Sequence, residues 1–182
     1  LTSMNNLAEV LRAMGNHAKA KQLQENLLKT RMRLLGPNHP ETLSSMNNLA
    51  MTYRASGNYT NARKLQEQAL ERQTLILGPD HPHTLLSMGN LAEIFGRGEY
   101  TRAKELQEHV CDRMMTVLGP DHPDTLASMN NLAGTLTDLG EHVRAREIQE
   151  NVLTELQNTL GLNHPQTLVS MSNLAGTLEA SG

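Results

Sequence analysis

The sequence predicts an all-α solenoid of about 4.3 helix pairs, nine helices in all, and three observations carry that reading. A motif recurs in phase along the whole chain, all seven prolines lie in the linkers between repeats, and large aromatic side chains are scarce. Met-Asn-Asn-Leu-Ala stands at 4–8, 46–50 and 129–133, with variants at 88–92 (Met-Gly-Asn-Leu-Ala) and 171–175 (Met-Ser-Asn-Leu-Ala). A second string, Leu-Gly-Pro-[Asn/Asp]-His-Pro, begins at Leu35, Leu77 and Leu118, and recurs at Leu160 with Leu162 in place of proline. Its glycines Gly36, Gly78, Gly119 and Gly161 lie 42, 41 and 42 residues apart, and 182 divided by 42 is about 4.3. A fixed period of this length marks a repeat architecture, in which each unit buries its apolar face against its neighbours. The single array 1–182 accordingly divides at about 1–35, 36–77, 78–118, 119–160 and 161–182.

Each unit reads as two helices, because proline breaks a helix interior and here occurs only between them. The first unit begins inside a first helix at Leu1, with no linker before it. In the second unit Leu43, Met46, Leu49, Ala50 and Tyr53 make the i, i+3, i+4 stripe of a first helix. A Ser56-Gly57-Asn58 turn follows, and Ala62, Leu65, Ala69 and Ile76 make the stripe of a second helix. At the linker Asn38 is placed to cap, Pro40 suits the first turn and Glu41 sits three residues after the cap. Asp80, Asp121 and Asn163 hold the same capping position later on. The third unit is one residue short, and the slip falls at Ile94-Phe95-Gly96-Arg97-Gly98, where a distorted turn and a local change of the superhelix are expected. The fifth unit stops at Gly182, where its second helix is due. Both ends therefore read as cuts through a longer array, whose uncovered faces are expected to permit end-to-end self-association.

The repeat also explains the missing rings. Ala8, Ala20, Ala50, Ala62, Ala92, Ala103, Ala133 and Ala145 let paired helices approach closely, while Met and Leu fill the layers between pairs. A long thin core of this kind needs few of the aromatics that dominate compact ones, and only Phe95, Tyr53, Tyr59 and Tyr100 are present. A net charge of −3 and a pI near 6.2, with both signs interspersed, give no basic field for nucleic acid or an anionic membrane. No apolar run exceeds three residues, which excludes a helical membrane span. The lone Cys111 fits a reducing compartment, so the chain is expected to be cytoplasmic.

Sites for chemistry are scarce. His39, His81, His122 and His164 recur once per linker, too far apart for a shared metal, and read as side chains packing beside the helix start. His81-Pro82-His83 lacks further ligand spacing, and Gly96-Arg97-Gly98 lacks the full glycine pattern of a phosphate loop. Cys111 lies beside Val110 and Met114 and reads as a packing residue. No enzyme, cofactor or metal is expected.

Paired helices with Leu-Ala near the middle of the first, Gly-x-[Tyr/His] at the turn and Ala early in the second resemble tetratricopeptide repeats (TPR). The 42-residue period and the linker Leu-Gly-Pro-x-His-Pro-x-Thr-Leu look like the long-repeat subclass of kinesin light chains. His-Pro-Asp-Thr-Leu-Ala-Ser-Met-Asn-Asn-Leu-Ala at 122–133 is still more similar to the C-terminal repeats of NB-ARC (STAND, NLR-like) NTPases of fungi and bacteria. The resemblance implies a right-handed α-α superhelix that serves protein–protein interaction. One departure is methionine (Met4, Met46, Met88, Met129, Met171) where the first helix often carries a large aromatic.

At 100° per residue, Ser44, Asn48, Met51 and Ala55 point nearly opposite the buried arc of the second unit's first helix, flanked by Asn47 and Arg54. In the resembling family this face lines a concave groove for an extended peptide, and the peptide-clamping asparagine falls on Asn6, Asn48, Asn90, Asn131 and Asn173. An asparagine amide both donates to and accepts from a peptide backbone. It costs roughly 0.6 kcal/mol against alanine inside a helix, so five copies at one phase ask for a reason, which groove binding, structural bonding or shared descent of the repeats would each supply. Asn130, the counterpart of Asn47, joins the candidate groove set. The place of Met51 is taken by Glu9, Glu93, Gly134 and Gly176, and the two glycines are expected to enlarge a pocket between the fourth and fifth first helices. Arg12, Arg54 and Arg97 would favour an acidic ligand, although the dense basic set of the carboxylate-clamp subgroup is missing. The expected role is a scaffold binding a protein or peptide segment, as the sensor region of an NLR-like NTPase; the alternatives are a kinesin-light-chain type of cargo adaptor or a passive spacer.

Overall fold

The computed structural model describes residues 2–96 and 98–181, with side chains from Met4 onward. Among them are nine helices: α1 (Thr2–Ala13), α2 (His17–Leu35), α3 (Pro40–Ala55), α4 (Tyr59–Leu77), α5 (Pro82–Phe95), α6 (Tyr100–Val117), α7 (Pro123–Asp138), α8 (His142–Leu160) and α9 (Pro165–Ser181). The predicted all-α architecture of stacked helix pairs is the observed one. Two compact units divide the chain at the end of α5, between Ile94 and Phe95. In the first, α2 packs on α1 and α3, α3 packs on α4, and α1 touches α3. In the second, α6, α7, α8 and α9 pack in succession, and α7 also touches α9. The first helices α1 and α7 thus each meet their own partner and the next first helix along. No helix is long and apolar enough to cross a membrane among the described residues.

The helix starts differ from the capping expectation. The cap is the linker histidine, one residue after Asn38 and its counterparts. His39 Nδ1 accepts from the Glu41 N–H at 3.2 Å, and His122 Nδ1 accepts from the Asp124 N–H at 3.1 Å. His81 Nδ1 and His164 Nδ1 do the same for the His83 and Gln166 N–H groups, at 3.2 and 3.3 Å. An imidazole with its proton on Nε2 presents Nδ1 as an acceptor, so it can satisfy one of the orphan donors of the first turn. Proline then fills the first helical position, where no N–H is needed. Asn38 Oδ1 is left for another task and accepts from Arg72 Nη1 at 3.0 Å.

The turns inside each pair follow one pattern. Gly57 sits at φ +79° and the Asn58 N–H bonds back to the Tyr53 carbonyl at 2.8 Å, closing α3 in a Schellman arrangement that only glycine enters without strain. The short third unit departs from it. Its first helix α5 has 14 residues where α3 and α7 have 16, and four residues separate it from α6 where three separate α3 from α4. Phe95 closes this end, buried, with the Arg102 guanidinium 4.6 Å above its ring centroid. Arg97, within the expected slip, lies outside the described residues.

The core is the predicted stripe. All eight repeat alanines are fully buried. Leu28, Leu43, Met46, Leu49 and Ala69 form one cluster, with Tyr53 and Leu65 half-buried against it. Cys111 packs with Leu132, Ala133, Leu136 and Ala145 in another. Ile76, expected in the buried stripe, is instead 48% exposed, because it lies in the last turn of α4 beyond the reach of α3's apolar face.

Two outcomes follow from these contacts. Replacing His122 by alanine lowers unfolding free energy by about 1 kcal/mol and His122→Asp restores it, since aspartate caps equally well; urea denaturation of both variants checks this. Burial, foremost, pushes the Cys111 thiol from 9.0 up to about 11, against a smaller downward pull from its hydrogen bond with Ser128. The folded thiol holds its proton more tightly than the unfolded one, so this contribution is whole below pH 9 and is lost as pH rises towards 11. Stability measured across that interval falls more steeply for the wild type than for Cys111→Ala.

Candidate functional site

Where two neighbouring first helices meet the last turns of a second helix, each unit leaves a cleft. In the first unit it has a volume of about 280 Å³ between α3, α5 and the end of α4. Pro40, Leu43, Ile76, Leu77 and Leu86 supply its apolar wall, and Asn47, Asn48 and Asn90 its polar rim. In the second unit a cleft of about 310 Å³ lies between α7, α9 and the end of α8. Pro123, Leu126, Leu156, Pro165 and Val169 form that wall, with Asn130, Asn131 and Asn173 at the rim. The two are one site at two places: Leu43 and Leu126, Asn48 and Asn131, Asn90 and Asn173 each differ by 83 residues, two repeat periods. Helix geometry makes the cleft. On α3, Pro40, Leu43 and Asn47 follow one another at i, i+3 and i+4 spacing along the edge of the buried arc, and Ser44 and Asn48 make the next row outward.

Asn47 is bound into the protein. Its Nδ2 donates to Ser87 Oγ at 2.8 Å, and its Oδ1 accepts from Gln66 Nε2 at 3.0 Å. Gln66 Nε2 also reaches the Ser87 carbonyl at 3.1 Å, so one buried amide ties α4 to both α3 and α5. Asn48 Nδ2 donates to Asn5 Oδ1 at 2.9 Å and more distantly to Glu9 Oε1 at 3.4 Å, bridging α3 to α1. Asn90 is half-buried, while Asn131 and Asn173 are exposed. Asn130 is half-buried, and its Oδ1 is shielded from solvent without a hydrogen-bond partner. On the first cleft's wall Gln73, 4% exposed, likewise has an unpartnered Oε1. Leaving a buried acceptor unmet costs on the order of 1–3 kcal/mol, so such atoms are few in folded proteins.

Other expected groove residues lie elsewhere. Asn6 is exposed on α1, and Met51 and Arg12 lie outside both cleft walls. Arg54 Nη2 pairs with Glu93 Oε2 at 2.9 Å, which neutralises its charge within the first unit. Among the described residues no acidic or basic side chain of fixed charge lines either cleft. Gly134 and Gly176 do not build the second cleft: both stand in the C-terminal halves of their helices, and a Cβ at either meets nothing within 4 Å. The pocket comes instead from the proline-linker ends of α7 and α9. Tyr53 is a neutral donor to Glu25 Oε1 at 2.8 Å, its hydroxyl pushed up to about 12 by burial first and by Glu25 second. Among the described residues no group of three or more His, Cys, Asp or Glu could hold a metal ion.

Sequence reasoning missed the glutamines. Gln24, Gln66, Gln107 and Gln149 recur 42, 41 and 42 residues apart and are all buried. The signal was present, a polar residue on the second helix's apolar face in phase with the linker glycines. Two outcomes test these assignments. Gly134→Ala and Gly176→Ala each raise stability by up to about 1 kcal/mol, because an open helix position gains propensity without a clash. Gln66→Leu lowers it by about 1–3 kcal/mol by stranding Asn47 Oδ1 and the Ser87 carbonyl; thermal unfolding of the three variants reads both signs.

Comparison with known proteins gives the repeat its family. Models of the tetratricopeptide repeat match residues 1–68 and 45–115, and a further one matches residues 125–166. No curated protein matches. Among solved structures, two of a protein of Podosopora anserina, described as a kinesin light chain with nearly identical TPR-like repeats, share 32% identity and a TM-score of 0.79. One of the two carries a point substitution; the alignments cover 100% of this chain and 86% and 87% of those chains. BtubC (BKLC) from P. vanneervenii is similar in fold, with a TM-score of 0.78 at 22% identity over 98% of this chain and 72% of that one. TPR domains generally mediate protein–protein interaction, and the chain belongs to the tetratricopeptide repeat family.

Proposed function

We propose that this chain is a non-enzymatic protein–protein interaction scaffold, and that its asparagine-rimmed clefts receive an extended peptide or protein segment. One observation carries the reading: the same apolar cleft with three asparagines on its rim recurs in both units. An extended segment presents alternating N–H and C=O groups, and an asparagine amide answers both. Asn48, Asn90, Asn131 and Asn173 are the residues assigned to that contact, while Asn47 holds the helices that frame it. The resemblance to structures described as kinesin light chain supports a cargo-adaptor setting. The phrase at 122–133 supports the other setting, the sensor region of an NLR-like NTPase; either would place the chain in the cytoplasm. Self-association is the further partner proposed, supported by Leu7, Val10 and Met14, which are 51, 55 and 76% exposed at the start of the chain. Light scattering at rising concentration checks it, and a constant monomer mass removes it.

Peptides selected by phage display on the immobilised chain supply the ligand for the main test. Replacing Asn48, Asn90 and Asn131 together by alanine lowers their affinity at least about tenfold, the worth of one or two lost hydrogen bonds, while the helical circular dichroism is kept. Unchanged affinity with a lower melting temperature would instead make the asparagines structural, and the failure of any peptide to be selected would favour the spacer.

A further inference from the structure

Charge is unevenly shared along the chain. Residues 1–35 hold six Lys and Arg against two Glu, a net of +4, while residues 36–182 hold ten against seventeen acids, a net of −7. Five of the first six cations belong to α2. Arg31 is buried, with Nη2 2.9 Å from Glu41 Oε2, and Lys21 Nζ lies 4.0 Å from Glu25 Oε1. Lys19, Lys29 and Arg33 remain, all exposed and, among the described residues, without an acidic partner.

At 100° per residue these three fall within an arc of about 80°, turned away from the buried Ala20, Gln24, Leu27, Leu28 and Arg31. Gln22 and Asn26 complete the arc, both exposed and uncharged, and Glu25, the one acid of α2, lies outside it. A helix rises about 1.5 Å per residue, so Lys19 to Arg33 spans about 21 Å. The other second helices do not share the pattern. Lys29 corresponds to Glu71, Asp112 and Thr154, and Arg33 to Leu75, Thr116 and Asn158. Lys19 has basic counterparts in Arg102 and Arg144, but these pair with Glu99 at 3.4 Å and with Glu108 at 3.0 Å. Arg33 suits the negative end of the helix dipole. Yet α4, α6 and α8 form helices of 18 or 19 residues with no base in the last turn, so the fold does not require it.

Unpaired cations gathered on one face of one helix attract an acidic ligand. Two observations make that ligand a protein segment rather than a nucleic acid. Met32 and Leu34, 38 and 61% exposed, flank Arg33 and offer contact to apolar side chains. The −7 on the remaining residues also repels a long uniform polyanion, which must run on past α2, more than it repels a segment about 20 Å long.

We infer that the outer face of α2 is a second docking surface, which receives a short acidic segment of a protein partner. It lies outside both clefts and stands independently of the cleft reading. Exposed ion pairs are individually weak, so this contact forms fast, releases fast and is sensitive to salt.

The test uses the full chain, isotopically labelled, with end-blocked octaglutamate as probe and octaglutamine as its uncharged control. Octaglutamate is expected to shift the backbone amides of Gln22, Asn26 and Lys29 saturably, while octaglutamine leaves them in place. Raising the salt from about 20 to about 200 mM weakens the octaglutamate affinity at least about tenfold. Lys29→Glu with Arg33→Glu removes the shifts. The milder Lys29→Gln with Arg33→Gln weakens binding at least about threefold, and the dispersion of the spectrum reports that the fold is kept. Equal shifts from octaglutamine, shifts that map away from α2, or shifts that survive the charge reversal overturn the proposal and leave the clefts untouched. Octathymidylate binding the same amides as tightly as octaglutamate overturns it too, in favour of a nucleic-acid surface.

Discussion

Two helices reach their shortest separation only where neither carries more than a methyl group at the crossing, and the fold rests on that contact repeated along the chain. Alanines with no exposed surface stand on the paired helices, such as Ala50 on α3 and Ala62 on α4, and Ala133 of α7 shares a core cluster with Ala145 of α8. A methylene added there has nowhere to go, because interiors are packed to crystal-like density. Leu and Met supply the burial around these contacts, and rings are barely needed. The thin core and the near absence of aromatics are therefore one fact seen twice.

Close pairing leaves the first helices flanked by space at their linker ends, and the clefts arise there. Near each proline the helix has begun but its partner is ending, so the last apolar residues of the second helix, Ile76 and Leu77, form a wall rather than a core. The histidine caps matter for the same reason. They satisfy the first-turn donors locally, using a side chain from the linker, and leave the asparagine one residue earlier to bind elsewhere, as Asn38 binds Arg72. Polar groups along this edge divide into those that hold helices together and those that face the opening. Asn47, Gln66 and Ser87 belong to the first kind; Asn90 and Asn173 belong to the second.

Neighbouring asparagines on one helix thus do different work. The resemblance to peptide-clamping repeats singles out Asn48 and its counterparts, and Asn48, Asn90, Asn131 and Asn173 do reach the clefts. Asn48 is also spent in part on Asn5 and Glu9, a contact that joins first helices and that residue type alone does not reveal. Arg54 illustrates the same limit. As an exposed cation it reads as a lure for acidic ligands, yet Glu93 from the next first helix meets it at 2.9 Å.

Periodicity, proline placement and the alanine rows determined the fold, because a solenoid is built from local helix pairs and nearest-neighbour burial, both written in the repeat itself. The all-α class, the nine helices among the described residues and the buried leucines of the second repeat were legible for that reason. The tertiary structure alone decided which linker side chain caps, which asparagine is structural, and where the clefts open. The cap turns on which of two neighbouring linker side chains reaches the first-turn N–H, and the other two outcomes on distances between residues some 40 positions apart, such as Asn47 to Ser87. It also decided that Gln73 is buried on a cleft wall without a partner, since composition and spacing carry no record of an unmet hydrogen bond.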